Sequence, residues 1–203
     1  MKTFVKWLIV IAIAFSSAAE AQQTINGCLV KRRTSCPGAN LSGMDLTKSN
    51  LSNADLSGAN LSGANLSADK IADTNLTKAN LSGANLTGTI LSGTYLNNAN
   101  LSHAILDKAD LSQGTLPDAN LREASLAGTN LSMANLKGAA LTGTNAKGAV
   151  FIMSSLTNAN LTRADLTEAT LVGADLRNAI LEGAKFCKTT MPDRSINNSS
   201  CPK

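Results

Sequence analysis

Residues Ala59-Asn60-Leu61-Ser62-Gly63 are followed at once by Ala64-Asn65-Leu66-Ser67-Ala68. The same phrase runs outward in both directions: a small residue, an amide or acid, a leucine, a hydroxyl, then a variable position. Every fifth residue from Leu41 to Phe186 gives thirty positions, and twenty-six of them are Leu. The other four are Ile71, Ala146, Phe151 and Phe186, so each grid position is apolar. Two residues earlier, twenty of thirty are Ala; one residue earlier, eighteen of thirty are Asn or Asp. One residue later, seventeen of thirty are Ser or Thr. No insertion breaks the phase.

Period five suits neither ordinary element. On an α-helix five residues advance about 500°, so the leucines would spiral around the rod. On a strand successive leucines would alternate between faces. The pattern is satisfied if the chain turns a corner every five residues. The leucine and the small residue two before it then point inward, and the other three positions face water.

These residues resemble the pentapeptide-repeat family, whose motif is centred on Leu or Phe, and the resemblance covers 39–188. It implies an all-β fold: a right-handed quadrilateral parallel β-helix with four pentapeptides per coil. Thirty units correspond to about 7.5 coils and a rod about 36 Å long at the usual strand spacing. Residues twenty apart then stack in columns. One inward column is Leu41, Leu61, Leu81, Leu101, Leu121, Leu141, Leu161 and Leu181. Phe151 and Phe186 complete the expected core, with the ring of Phe151 filling volume left by Ala146 in the adjacent unit.

The flanks read differently. Lys2 and Lys6, the apolar run Trp7 to Phe15, and Ala19-Glu20-Ala21 predict a secretory signal peptide over 1–21, cleaved after Ala21. An N-terminal anchor or a lipoprotein using Cys28 are the competing readings. Residues 22–38 and 189–203 lie off the grid and are the expected caps, needed because a β-helix exposes open backbone at its ends.

The chain has 203 residues, 43% apolar but only 3% aromatic, 16% charged, with four Cys and one His. Export and an even cysteine count favour disulfides. In the rod implied by the resemblance the two ends lie tens of Å apart. The expected pairs are therefore Cys28–Cys36 and Cys187–Cys201, with free thiols or a four-cysteine zinc site as alternatives. The ending from Phe186-Cys187 through Met191-Pro192-Asp193 to Cys201 also resembles that of exported bacterial members.

Charge narrows the function. The formal net charge is +4. Residues 39–184 carry nine basic and twelve acidic side chains, while residues 22–38 and 185–203 each sum to +3. DNA mimicry, by which some members of the family protect DNA gyrase, needs a strongly negative rod. A body at −3 and a leader for export both disfavour it. One histidine, His103, in an outward position leaves little for histidine chemistry. Asp45, Asp165 and Asp175 occupy the Asn/Asp repeat position and read as repeat chemistry. No phosphate loop, nucleophile motif or zinc motif is present. An enzyme on a β-helix would be expected to interrupt its coils with long loops, and none does so here.

Asn40, Asn60, Asn80, Asn100, Asn120 and Asn160 are expected to stack on one face as a side-chain amide ladder, or else to present a ligand-binding face. Ten Asn-Leu-Ser/Thr sequons in the grid favour bacterial export over the eukaryotic secretory route. A mixed Ser, Thr, Lys, Arg and Ala surface disfavours an ice-binding face. Met133, Val150, Ile152, Met153 and Val172 fall at outward positions of neighbouring coils, a contact patch or cross-coil shielding.

The expectation is thus an exported, periplasmic or secreted, non-enzymatic scaffold with an unknown protein or surface partner. No cofactor, no metal and no nucleic-acid partner are expected. Nor is a membrane span after leader cleavage, and the state is monomer or weak dimer.

Overall fold

The computed structural model describes residues 23–202. The leader expected over 1–21 lies outside the described residues. The chain opens with an antiparallel hairpin, β1 (Gln23–Ile25) and β2 (Cys28–Val30). Its two turn residues are Asn26 and Gly27, both with positive φ (48° and 81°). Asn-Gly is the pair that adopts such a turn at least steric cost, and its twist matches that of the flanking strands. Ile25, Cys28 and Val30 face inward and join the hydrophobic core.

Beyond the hairpin each unit makes one turn and one bridge. In the unit at Leu61, Ala64 N donates to Leu61 O at 3.0 Å, closing the turn. Leu61 N donates to Asn80 O at 2.7 Å and Asn60 N to Ala39 O at 2.9 Å, tying the unit to the circuits after and before it. Bridges such as Asn40↔Asn60 and Asn60↔Asn80 are all parallel and twenty residues apart. Four turns therefore close one circuit, and the next circuit lies on top. No side is long enough to form an extended strand. The short strands lie at the ends, the second pair being β3 (Thr189–Thr190) and β4 (Ile196–Asn197). There is no helix among the described residues.

The interior follows the sequence pattern. Leu41, Leu61, Leu81, Leu101, Leu121, Leu141 and Leu161 are buried, as are Ala146, Phe151 and Phe186; Leu181 is partly exposed. Burial of each leucine contributes roughly 1.5–3 kcal/mol against chain entropy. The small residues beside them, such as Ala59, Ala64 and Ala84, leave room for the leucines to meet. Where Thr takes that place its hydroxyl finds a carbonyl: Thr89 Oγ1 donates to Leu66 O and Thr129 Oγ1 to Leu106 O, each at 2.7 Å. A buried hydroxyl so satisfied avoids the cost of an unpaired polar group.

The lattice runs one corner further than the leucine grid at each end. Cys36 N donates to Asp55 O, and Ser35 bridges Asp55, so Cys36 occupies a corner. At the other end Thr190 bridges Thr170 and Gly173 N donates to Pro192 O, which puts partly buried Met191 at a corner. Both of these corners fall within the segments expected as caps, 22–38 and 189–203. A corner requires an apolar side chain, and half-cystine and methionine meet that need as leucine does.

One inward site is acidic. Asp69 stands where Ala is usual and is buried. Its carboxylate accepts from Ser49 Oγ and, at 2.9 Å, from Asn50 N. These two bonds take the place of the bridge that would join residues 50 and 70.

Candidate interaction surface

The lattice brings the five apolar surface residues together by stacking. Met133 N donates to Ile152 O at 2.8 Å and Met153 N donates to Val172 O at 2.9 Å. Asn130 bridges Val150. Met133 and Met153 are 63% and 64% exposed and Ile152 is 36% exposed, whereas Val150 and Val172 are half-buried. The patch is therefore two exposed thioethers and an isoleucine over a valine base. Each methionine sits at the third residue of its turn, at φ 58°. That conformation throws the side chain off the corner into solvent.

The polar columns bond to themselves. Asn60, Asn80, Asn100 and Asn120 each donate Nδ2 to the Oδ1 of the Asn one circuit earlier, at 3.3, 3.4, 3.2 and 2.9 Å. The same Oδ1 atoms accept from backbone amides two residues on, as Asn100 does from Ser102 N at 3.2 Å. Ala140 interrupts the column before Asn160. These bonds engage the amide oxygens within the rod, which is the arrangement of a ladder.

Several titratable groups are likewise engaged locally. His103 Nδ1 lies 3.4 Å from Glu123 Oε2, both side chains well exposed. Hydrogen bonds from the Thr47 side chain and backbone hold Asp45 below the usual carboxylate range. Burial pushes Asp165 up, but bonds from Thr167 and the Lys147 ammonium outweigh it and the net direction is down. The Arg177 guanidinium, with Nε at 2.9 Å and Nη2 at 2.6 Å, holds Asp175 far below the ordinary value. Asp193 is lowered by Ser195. Among the described residues no group of three His, Cys, Asp or Glu is placed to hold a metal ion. Nor is any helix among them long and apolar enough to cross a membrane.

Both disulfides expected from the rod are present. Cys28 pairs with Cys36 at a Cα separation of 5.6 Å and Cys187 with Cys201 at 4.6 Å. The first ties the front hairpin to the first corner. The second folds the tail back, with Lys188 N donating to Asn198 Oδ1 and Ser200 N to Phe186 O, each at 2.8 Å. A shallow cavity of about 480 Å³ opens between Met191, Pro192, Ile196 and Asn198 on this tail.

Sequence reasoning did not single out Ile180, which is 49% exposed. Its signal was present: it stands at the last place of the Asn40 column, where an amide or Ala would be usual.

A scaffold of five-residue corners with stacked leucines defines a class, and the comparisons agree. The chain belongs to the pentapeptide-repeat family: "Pentapeptide repeats" match in eight copies over residues 33–68, 74–113, 119–152 and 154–191. No curated protein matches it. Among solved structures, a trypsin-treated variant of QnrB1, a plasmid-mediated fluoroquinolone resistance protein, is 21% identical with a TM-score of 0.53. That likeness covers 74% of this chain and 79% of the other. The pentapeptide repeat protein alr5209 from Nostoc PCC 7120 is 42% identical over 37% of this chain and 63% of its own, with a TM-score of 0.37. HetL, a pentapeptide repeat protein involved in heterocyst differentiation regulation from Nostoc sp. strain PCC 7120, is 29% identical. It covers 81% of this chain and 90% of its own, with a TM-score of 0.24.

Proposed function

We propose that the protein is an exported, non-enzymatic scaffold of the bacterial cell envelope, a right-handed quadrilateral β-helix of about 7.5 coils. Its lateral surface docks a protein or surface partner. The observation that carries the reading is the pair of disulfides, one holding each end of the rod. Disulfides persist in oxidising compartments and are reduced in the cytosol. The Met133–Ile152–Met153 patch is the surface we assign to contact, because apolar side chains on a polar rod mark interaction sites. Repeats of weak net charge and carboxylates bonded to neighbouring residues support a binding role over catalysis.

The test has two parts. Cell fractionation with thiol labelling should find the protein outside the cytoplasm with all four cysteines oxidised; a reduced cytoplasmic pool would remove the export reading. Capture from an envelope fraction should enrich a partner that is lost when Ile152 and Met153 become Ser.

A DNA-mimicking modulator of gyrase is the alternative, favoured by the fold shared with QnrB1. A body of nine basic and twelve acidic side chains gives a weak field for that role. Gyrase supercoiling assays separate the two, and a scaffold leaves supercoiling unchanged.

A further inference from the structure

The front end of the rod carries a cluster of cations without counter-charge. Residues 22–38 hold Lys31, Arg32 and Arg33 and no Asp or Glu. Thr34 N donates to Lys31 O at 3.3 Å, which gathers the three into one turn. Arg33 N donates to Ser52 O at 3.0 Å, so this turn lies at the front of the rod, one level before Asn53. Arg33 has φ 59°, the conformation that throws Met133 and Met153 into solvent. Arg32 and Arg33 are exposed and Lys31 is half-buried.

Nothing nearby neutralises them. Among the described residues the four ion pairs are His103–Glu123, Lys147–Asp165, Arg177–Asp175 and Lys188–Glu168, and none reaches this turn. The acids closest to this end are engaged elsewhere. Asp45 Oδ1 accepts from Thr47, and Asp55 Oδ1 from Ser57 N and Asn75 Nδ2. Asp69 is buried under Ser49 and Asn50 N. Asp73 shares the Arg33 column, but its Oδ1 lies against Gly93, on the side away from the front. The hairpin beside the turn adds an apolar group. Leu29 stands between inward Cys28 and Val30, so it points away from the core, and it is half-buried. Its cross-strand neighbour Thr24 is exposed.

We propose that this end docks on a membrane surface of anionic phospholipid, so that the rod stands on the bilayer. Phosphate headgroups supply the negative charge that the three cations lack, and each Lys or Arg at such a surface strengthens association about fivefold. Leu29 enters the boundary between headgroups and acyl chains, as the apolar residue of an interfacial anchor does. A nucleic acid would leave Leu29 unused, and a long polyanion would track the side of the rod rather than its blunt end. One leucine and three cations make a reversible contact, not an insertion. Met133 lies five circuits beyond Arg33 in the same column, which sets it about 24 Å above the surface. The lateral patch is thereby held at a fixed height, although the docking does not depend on what that patch binds.

Every described element lies within 23–202, so the chain from residue 22 onward, without the expected leader, is the form to test. Vesicles of equal parts phosphatidylglycerol and phosphatidylcholine should cosediment it, and pure phosphatidylcholine should not. Salt at about 0.5 M should release it by screening. Arg32→Gln with Arg33→Gln should weaken binding at least about tenfold with an unchanged melt. Gln113 already occupies the Arg33 column at φ 59°, so the backbone accepts that residue. Leu29→Ser should weaken binding about threefold. Lys185→Gln with Arg194→Gln, at the opposite end, should leave it unchanged. Equal binding to both kinds of vesicle, or to neither, would overturn the proposal. So would parental binding by the Arg32 and Arg33 variant. Tighter binding to a short DNA duplex than to the vesicles, lost in that variant, would assign the end to nucleic acid and overturn it as well.

Discussion

Met153 and Gly173 share one column of turns, and the bare Cα of Gly173 makes room for the thioether. A Cβ on Gly173 would stand 2.6 Å from Met153 Sδ. Gly173 also has φ 67°, in the left-handed region that disfavours a side chain. Gly173→Ala should destabilise the rod by about 1–2 kcal/mol and displace Met153. Met153→Gly, at φ 58°, should leave stability unchanged or raise it by up to about 1 kcal/mol while removing half the thioether pair. Denaturant melts of the two variants, beside partner capture, separate stability from contact. Equal destabilisation by both would contradict the column geometry.

Ala146 and Phe151 occupy successive corners and both are fully buried. The small corner beside the large one implies matched volume. Ala146→Leu should overpack that level and cost about 1–3 kcal/mol. Combining it with Phe151→Leu should recover part of the loss. Chemical denaturation of the single and double variants measures the coupling, and a stable Ala146→Leu rod would show that the two sites do not share volume.

The Cys187–Cys201 bridge closes a loop with a sequence separation of 14. Replacing both cysteines with Ser should lower stability by about 3 kcal/mol through the freed unfolded chain. Because the bridge holds the tail against Phe186, exchange should accelerate first at Lys188 and Ser200. Native-state hydrogen exchange reads this directly; uniform acceleration along the rod would mean that the tail is not a separate unit.

Acid should act late. Asp45, Asp165, Asp175 and Asp193 are all held below their ordinary values when folded. A depressed folded pKa adds stability that is fully present above the unfolded value and is lost as pH falls through the folded one. Stability should therefore be level from neutral pH down to about 4, the unfolded carboxylate range, and decline below it. The contribution is small because Asp45 and Asp193 are exposed and Asp165 and Asp175 are half-exposed, so solvent screens them. Asp175→Asn should flatten the acid limb of a melting-temperature profile. An unchanged limb would show that the Arg177 pairing does not contribute to acid stability.

The corners were legible because one side chain does one job. Leucine at twenty-six of thirty evenly spaced places admits few arrangements, and burial of Leu61 or Leu101 follows from spacing alone. The cysteine pairs were legible once a rod was in view, since its length separates Cys28 from Cys201. Asp69 was not, because a carboxylate at an alanine position reads as surface until Ser49 and Asn50 N are seen to satisfy it. The partial exposure of Leu181 was equally hidden. It depends on where the tail folds, and that is decided by Asn198 reaching Lys188 N. The Met133–Met153 patch was legible as a column, but its partner is not written in the pattern.

The twenty-residue circuit also governs how such a chain can change length. Removing or duplicating twenty residues returns every later side chain to its own column, with Asn over Asn and corner over corner. Removing five keeps the core intact yet carries everything downstream around to the adjoining side. A lesion of that size between residues 61 and 130 would leave the melt almost unaltered while turning Met133 and Met153 onto the adjoining side of the rod. Heredity can thus lengthen this molecule in whole storeys, or re-aim its upper floors by a quarter turn, with every corner still resting on a corner.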